Sequence, residues 1–294
     1  MLHAIIVNYH RPDITQQAID SVLAETEIDV RVILIENDGD GAWARQLYNN
    51  ESRVVVQANE NNLGFGAGCN QGMEIALADG TDAVLLLNND AVVEAGGLKL
   101  LANAAMQYGL AAPKILLPEK PLLYAAGGIV EMSRARCRNR GLRQEDRGQY
   151  DKPERFRFSS ACALLVSRRA LETSIRFYEP FFLYYEDADY CLALARAGFE
   201  IAYVPSARVI HLESASTSAE GRPAMLYYDA RNRWMFLHRQ GTLAERLVGS
   251  VYLIFILLVR ALSFLRHGKP AQVSALWRGL RDGILRRGGK LPRA

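Results

Sequence analysis

The chain has 294 residues, 50% of them apolar, so it is long enough for one large domain, or a domain with an appendage, around a sizeable core. Its net charge of +3 argues neither for nor against nucleic acid, but from Arg266 onward eight Lys or Arg face Asp282 alone, so that tail carries +7 and residues 1–265 sum to −4. The four cysteines, at 69, 137, 162 and 191, have spacings that exclude a zinc module and a disulfide framework and point to a reducing, cytoplasmic compartment.

Residues 3–8 read as a first apolar strand. Met1-Leu2-His3 leads straight into it, so no signal peptide is expected. Residues 12–26 carry helical spacing, with Ile14, Ala18, Ile19, Val22 and Leu23 on one face and a start at Pro12 or Asp13. Val30 to Ile35 is a second strand, ending at Glu36-Asn37-Asp38-Gly39. A polar helix near 41–49 and a short strand at 54–56 follow. Asn59 to Gly68 is a polar, glycine-rich loop that opens a helix over about 67–79, and a strand at 83–88 comes next. Strands and helices alternating in this way predict a largely parallel sheet with right-handed crossovers. Each of these strands ends in polar side chains, where open α/β sheets bind ligands.

After about residue 113 the pattern changes. Residues 118–158 are rich in Arg, Gly and Pro and read as a variable loop region with a short hairpin. Ala161 to Ser167 is again a strand. Residues 186–197 fit a helix with acids in its first turn and Gly198 at its C-terminus. Ile201 to Val204 and Arg208 to His211 read as short strands, and from Met225 the chain turns helical. Residues 247–259 form an apolar run, shorter than the roughly 20 residues a membrane span needs. With basic residues just beyond it, a membrane-interface helix is expected ahead of a spanning one; packing on protein is the alternative.

Five groups of residues carry chemistry. Val84-Leu85-Leu86-Leu87-Asn88-Asn89-Asp90 is a buried strand ending in two amides and a carboxylate. A carboxylate there can hold a hard divalent cation, which in turn can hold a diphosphate; a strand followed by a plain polar turn would look the same. Glu186-Asp187-Ala188-Asp189 puts three carboxylates in four residues, more than helix capping requires, and one of them could act as a general base. His211 ends a strand, where an imidazole is either structural or a metal or phosphate ligand. Gly64, Gly66 and Gly68 could let a backbone approach a phosphate or sugar. The loop is not a Walker loop, because no Gly-Lys-Ser/Thr follows, and it comes after the third strand, where a dinucleotide fingerprint is not expected. Asp38 is either a turn former before Gly39 or an acceptor for a base or ribose. No Ser-His-Asp or Cys-His arrangement supports nucleophilic hydrolysis.

Ile5-Ile6-Val7-Asn8-Tyr9, Glu36-Asn37-Asp38, Asn61-Asn62-Leu63-Gly64-Phe65-Gly66, Leu87-Asn88-Asn89-Asp90, Tyr185-Glu186-Asp187-x-Asp189 and Val209-Ile210-His211 occur in that order. In this ordered set, over about residues 3–240, the chain resembles the inverting GT-A glycosyltransferases of family two, most of all the bacterial rhamnosyltransferase-type members. The resemblance implies an α/β fold with a Rossmann-like, mostly parallel nucleotide-sugar-binding sheet, flanking helices and a C-terminal helical extension. It implies a catalytic domain over 1–224, with a nucleotide-binding half to about 112 and an acceptor-binding half from about 113, and the extension over 225–294.

It further implies a dTDP- or UDP-sugar donor, a Mg²⁺ or Mn²⁺ ion, a lipid-linked or glycan acceptor and no nucleic-acid partner. Peripheral contact with the cytoplasmic face of the inner membrane fits the C-terminal region. Asp187 matches the family's general base, with Glu186 and Asp189 supporting the acceptor site or the helix. Asp38 matches the holder of the base or ribose, with Val7 and Tyr9 near it. Asn62, Gly64, Gly66, Asn88, Asn89 and Arg231 fall at nucleotide-sugar positions, and Asp90 and His211 at metal positions. The chain departs from the family at Asn88, which stands where the Asp-x-Asp pattern has its first Asp, so Asp90 must carry most of the metal binding. dTDP-L-rhamnose is the donor of the nearest-looking relatives, and a UDP-hexose is the alternative. A nucleotidyltransferase would carry a glycine-rich basic loop after the first strand, which Asn8-Tyr9-His10-Arg11-Pro12 lacks. A non-catalytic membrane-associated scaffold would bind no nucleotide with metal.

Overall fold

The computed structural model describes residues 1–37, 39–118, 121–212 and 222–291. The chain runs β1 (Leu2–Asn8), α1 (Pro12–Leu23), β2 (Val30–Asn37), α2 (Ala42–Leu47), β3 (Val54–Asn59), α3 (Phe65–Ala78), β4 (Ala83–Asn88), β5 (Ala91–Val93), α4 (Gly97–Tyr108) and β6 (Gly109–Leu116). It continues through β7 (Leu123–Ala125), β8 (Gly128–Glu131), β9 (Arg136–Asn139), β10 (Glu154–Phe156), β11 (Ala163–Ser167), a short α5 (Arg168–Leu171), α6 (Glu186–Arg196) and β12 (Glu200–His211). Helices α7 (Pro223–Gln240), α8 (Leu243–Arg266) and α9 (Pro270–Ile284) follow.

The main sheet has the order β10-β12-β6-β11-β4-β1-β2-β3, with β5 on β12 and β7 on β6. β3, β2, β1 and β4 are parallel, as the alternation of strand and helix requires, and so are β6 and β12. β11 enters antiparallel between β4 and β6. Successive side chains on a strand face opposite ways. Ala4 and Ile6 therefore join α1 and α4 in one core, while Ile5 and Ile33 meet α3 and α6 in another. The central strands β1, β2, β4 and β11 are buried on both faces, which is why they read as continuous apolar runs.

The sequence pattern gave no sign of α4 or β6. β6 holds Gly109, Pro113 and Lys114, poor strand formers, and Lys114 is buried there by ion pairs to Asp146 (2.9 Å) and Asp151. Much of the basic tail is helix α9, which packs on α7. Its Ala275, Leu276 and Leu280 are buried with Leu226 and Ala230 of α7. A Cβ on Gly279 would lie 2.3 Å from the Tyr227 carbonyl oxygen, and one on Gly283 2.8 Å from that of Arg231. The two helices are thus in backbone contact. Gly279→Val is expected to push α9 off α7 and cost about 1–3 kcal/mol, read as a lowered denaturant midpoint; an unchanged midpoint would mean that this packing adds nothing to stability.

The apolar run at 247–259 lies inside a 24-residue helix, which corrects the length argument. α8 begins at a capping box, in which Thr242 Oγ1 accepts from the Glu245 N–H and the Glu245 carboxylate accepts from the Thr242 N–H. It is the one helix among the described residues long and apolar enough to cross a membrane. Gly249, Leu253, Leu257 and Ala261 form its buried stripe, and Leu247, Val251, Phe255, Leu258 and Leu262 are exposed.

Candidate active site

Register sets the floor of the site. Asn8 pairs with Glu36, Val7 with Asn88, and Asn37 with Asn59, so the polar ends of β1, β2, β3 and β4 share one edge. Except for the half-buried Asn88, these groups are buried and bonded to one another, as buried polar groups must be. Asn8 Nδ2 donates to both Glu36 oxygens at 2.9 Å, and Trp43 Nε1 donates to Glu36 Oε2 at 2.7 Å. Asn8 Oδ1 accepts from Thr15 Oγ1 at 2.7 Å and from Asn89 Nδ2 at 3.3 Å; Asn89 also reaches Thr15 Oγ1 at 3.0 Å. The turn carrying Asp90 is thereby tied to β1 and α1. Asn37 does the same for the glycine loop: its Nδ2 donates to Asn62 Oδ1 and to the Gly64 carbonyl, both at 3.1 Å, and its Oδ1 accepts from the Leu63 N–H at 3.1 Å.

Straight after this turn, β5 pairs antiparallel with the end of β12, setting Ala91 opposite His211. The pairing brings Asp90 Oδ1 to 3.1 Å from His211 Nε2, with both residues buried. The His211 ring packs on Tyr124 with centroids 4.3 Å apart, and its buried Nδ1 has no hydrogen-bond partner among the described residues. A carboxylate oxygen and an imidazole nitrogen this close can share one divalent cation, and Mg²⁺ and Mn²⁺ sites that hold a substrate diphosphate need few protein ligands. Among the described residues no group of three His, Cys, Asp or Glu forms a complete metal cage, so bound phosphate oxygens would have to complete the shell.

Asp187 sits in the first turn of α6. The approach to that turn is strained: Phe182, Tyr184 and Tyr185 all have φ between 63° and 72°, unfavourable for residues with bulky side chains. Asn232 of α7 holds it in place, Nδ2 donating to the carbonyls of Phe181 (3.0 Å), Leu183 (2.6 Å) and Tyr184 (2.9 Å). The Asp187 carboxylate accepts from the Ala188 N–H (2.7 Å) and the Ala161 N–H (3.3 Å). The next residue, Cys162, accepts at its carbonyl from the Asn88 N–H at 2.9 Å. Two consecutive residues thus bridge the Asn88 end of β4 and the carboxylate of Asp187. Asp187 opens into a cavity of about 660 Å³ that Tyr124, Ser160 and Tyr184 also line.

Burial pushes the Asp187 carboxyl above the ordinary aspartate range. Glu186 is buried deeper; burial first and the Asp187 charge second push it up to about 8. A carboxyl whose pKa is raised on folding contributes stability that is complete below its unfolded value and is lost as pH rises through the folded one. Stability is therefore expected to fall between about pH 4.5 and 8, and Glu186→Gln should flatten that fall in thermal melts. Parallel pH profiles of variant and wild type would rule out the burial assigned to this carboxyl.

Several expected roles shift. Arg231 is fully buried, and its guanidinium donates to the carbonyls of Gly289 (2.7 Å), Pro180 (3.1 Å) and Phe181 (2.7 Å) and to Asn232 Oδ1 (2.8 Å). These bonds hold the loop before Asp187 and the Gly289 carbonyl, at a residue the resemblance placed at the nucleotide-sugar site. Asp189 does not line the Asp187 cavity; of the two roles expected for it, acceptor site or helix, its contacts are to the helix: its carboxylate pairs with Arg239 (3.0 Å) and accepts from Gln240 Nε2 (2.7 Å), tying α6 to α7. Glu186 lies beside the glycine loop, its Cβ 3.7 Å from the position a Cβ on Gly66 would take, and one of its buried oxygens has no partner among the described residues. Added Cβ atoms would meet the Phe182 carbonyl oxygen at Gly64 (2.5 Å), Phe177 at Gly66 (3.0 Å) and Val7 at Gly68 (3.1 Å). The glycines let α3 pack on the protein itself, and Val7 lies beneath that helix. Tyr9 is 42% exposed at the edge of the sheet, and Asn88 is half-buried beside Asp90. Asp38 lies outside the described residues.

Sequence patterns gave no hint of Tyr124, which lies in the stretch read as a variable loop, or that Arg136 and Arg138 of that Arg-rich stretch and Arg260 of α8 line the cavity. Thr15 was discoverable as a polar residue on the apolar face of α1.

The model of the family described as glycosyl transferase family 2 matches residues 3–173, more than half of the chain. The N-acetylglucosaminyl-diphospho-decaprenol L-rhamnosyltransferase of Mycobacterium tuberculosis (strain ATCC 25618 / H37Rv) is 29% identical over 246 residues, 75% of this chain and 78% of that protein. Galactofuranosyltransferase GlfT1 of the same organism is 32% identical over 111 residues, 37% of this chain and 36% of its own length. The crystal structure of GalNAc-T7 with UDP, GalNAc and Mn²⁺ matches 85% of this chain and 54% of that one with a TM-score of 0.59 at 14% identity. This chain therefore spans about half of that one, and the similarity bears on fold alone. The ordered motifs, the parallel sheet with its polar edge and the family match together mean that the chain belongs to glycosyl transferase family 2 and is a glycosyltransferase of GT-A fold.

Proposed function

We propose that the protein is an inverting transferase that moves a sugar, L-rhamnose from dTDP-L-rhamnose in the first instance, to a hydroxyl of a lipid-linked or polysaccharide acceptor in cell-surface glycan synthesis. The observation that carries this is the bridge through Ala161 and Cys162, which links Asn88, next to Asp90, to the carboxylate of Asp187. The rhamnosyltransferase at 29% identity favours rhamnose, and a UDP-hexose is the second reading.

The nucleotide sugar would lie across the ends of β1, β2 and β4, with Tyr9, Asp38, Asn62 and Asn88 in reach of the nucleotide. Asp90 and His211 would hold a Mg²⁺ or Mn²⁺ ion, which when bound neutralises charge on the departing diphosphate. Asp187 takes the proton of the acceptor hydroxyl as its oxygen bonds to C1 and the C1–O bond to the diphosphate breaks. No covalent bond to the protein forms. The two backbone donors fix the Asp187 carboxylate in place, and burial raises its basicity toward neutral pH.

Residues 1–224 would form the catalytic domain, and 225–294 an extension whose apolar α8 face rests on the cytoplasmic side of the inner membrane. A screen of dTDP- and UDP-sugars by released nucleoside diphosphate, with and without EDTA, tests the whole. Turnover of one donor, lost in EDTA and restored by Mn²⁺, is expected; no metal-dependent nucleotide binding at all would leave the non-catalytic scaffold.

A further inference from the structure

Resting on Asp187 as the base, we infer that the segment after α9, residues 286–291, belongs to the catalytic apparatus. It clamps the loop 180–185 that presents Asp187, with Gly288, Gly289 and Arg231 as positioning residues for the transfer step. Phe182, Tyr184 and Tyr185 have positive φ, which bulky residues keep only where their surroundings impose it. The imposing contacts come from outside the loop. Each carbonyl from Pro180 to Tyr184 accepts from a donor beyond it. Phe182 accepts from the Phe65 N–H of α3 (3.2 Å), and Phe181, Leu183 and Tyr184 accept from Asn232. Pro180 accepts from Arg231 (3.1 Å) and from the Gly289 N–H (2.7 Å).

The two glycines meet the loop directly. A Cβ on Gly288 would lie 2.3 Å from the Pro180 Cβ, so glycine alone allows that approach. Gly289 closes a ring of bonds: its N–H donates to Pro180, and its carbonyl accepts from the Arg231 guanidinium, whose other end donates to Pro180 and Phe181. A planar fork with fixed donor directions suits three carbonyls at once. The segment is anchored at both ends. The Arg287 N–H donates to the Asp282 carbonyl of α9 (2.8 Å), and the Leu291 N–H donates to Tyr228 Oη (2.7 Å). The Tyr228 ring in turn stacks on Phe182 of the loop, centroids 5.5 Å apart. Asp187 stands two residues beyond Tyr185, so a shift of the loop moves its carboxylate against the acceptor, and reaction rates are steep in such misplacement. Asp90 and His211 lie across the Ala161–Cys162 bridge and should hold cation and nucleotide as before.

Gly288→Ala in the full chain is expected to lower kcat about tenfold or more, with calorimetric affinity for UDP or dTDP with Mn²⁺ at the wild-type value. Gly289→Ala has open space for its Cβ but a φ of 84°, and should act in the same direction more mildly. Gly268→Ala is the control. Its φ is 65° in the turn between α8 and α9, with nothing within 4 Å, so it should lower the melting temperature and leave kcat unchanged. Amide hydrogen exchange over residues 180–187 should quicken in Gly288→Ala and not in Gly268→Ala. Wild-type kcat in Gly288→Ala would overturn the inference, as would unchanged exchange, an equal loss of kcat in Gly268→Ala, or a loss confined to nucleotide affinity. A wild type that turns over no donor, yet shows the difference in exchange, fails the transferase function and leaves the clamp standing.

Discussion

Asp187→Asn is expected to lower kcat by about a thousandfold, within the 10²–10⁴ range of a positioned general base, or about 4 kcal/mol of barrier. The loss should fall on kcat and leave nucleotide binding intact, because Asp187 lies across the Ala161–Cys162 bridge from Asp90. Its fold should survive. The amide still accepts from one of the two backbone donors, and it removes a buried charge that pushes Glu186 upward. The wild-type pH profile adds an independent check. A carboxyl raised above the ordinary aspartate range is protonated, and useless as a base, over a wider acidic span. The acid limb of kcat should therefore lie above the usual aspartate range and vanish in the residual activity of Asp187→Asn. Full activity in the variant, with a normal melt, would remove Asp187 from the base role.

The parallel half of the sheet was legible because β1, β2 and β4 are buried on both faces and, like the edge strand β3, end in a polar residue. Asn8, Glu36, Asn37 and Asn88 announce the site edge through that punctuation alone. The partnership of Asp90 with His211 was not legible as a contact: it depends on β5, three residues long, doubling back onto β12. Local pattern carries no record of such a pairing. The same holds for Arg231, where sequence reveals an arginine on a helix but not the carbonyls that surround it. The glycines show the opposite limit. Their spacing suited a ligand loop, and their Cβ-free surfaces are filled by Phe177, Phe182 and Val7. A glycine reports a close approach without naming what approaches.

Asn88 makes the second large expectation sharp. At the Asp-x-Asp position this chain offers one carboxylate, Asp90, supported by His211. Asp90→Asn keeps the acceptor oxygen that faces His211 Nε2, so the fold and the imidazole orientation should hold, while the negative charge is lost. Calorimetric affinity for UDP or dTDP with Mn²⁺ is expected to drop at least tenfold, and turnover by about 10²–10³. The reverse change is informative as well. Asn88→Asp restores a second carboxylate beside the first and should tighten Mn²⁺ binding, because ligand charge sets affinity for a hard cation. Two nearby carboxylates without a cation repel each other, so this variant should melt lower in EDTA and regain stability when Mn²⁺ is added. If Asp90→Asn binds nucleotide and Mn²⁺ as wild type does, and Asn88→Asp does not respond to the metal, the cation is held elsewhere and the donor cannot lie across the end of β4 as described.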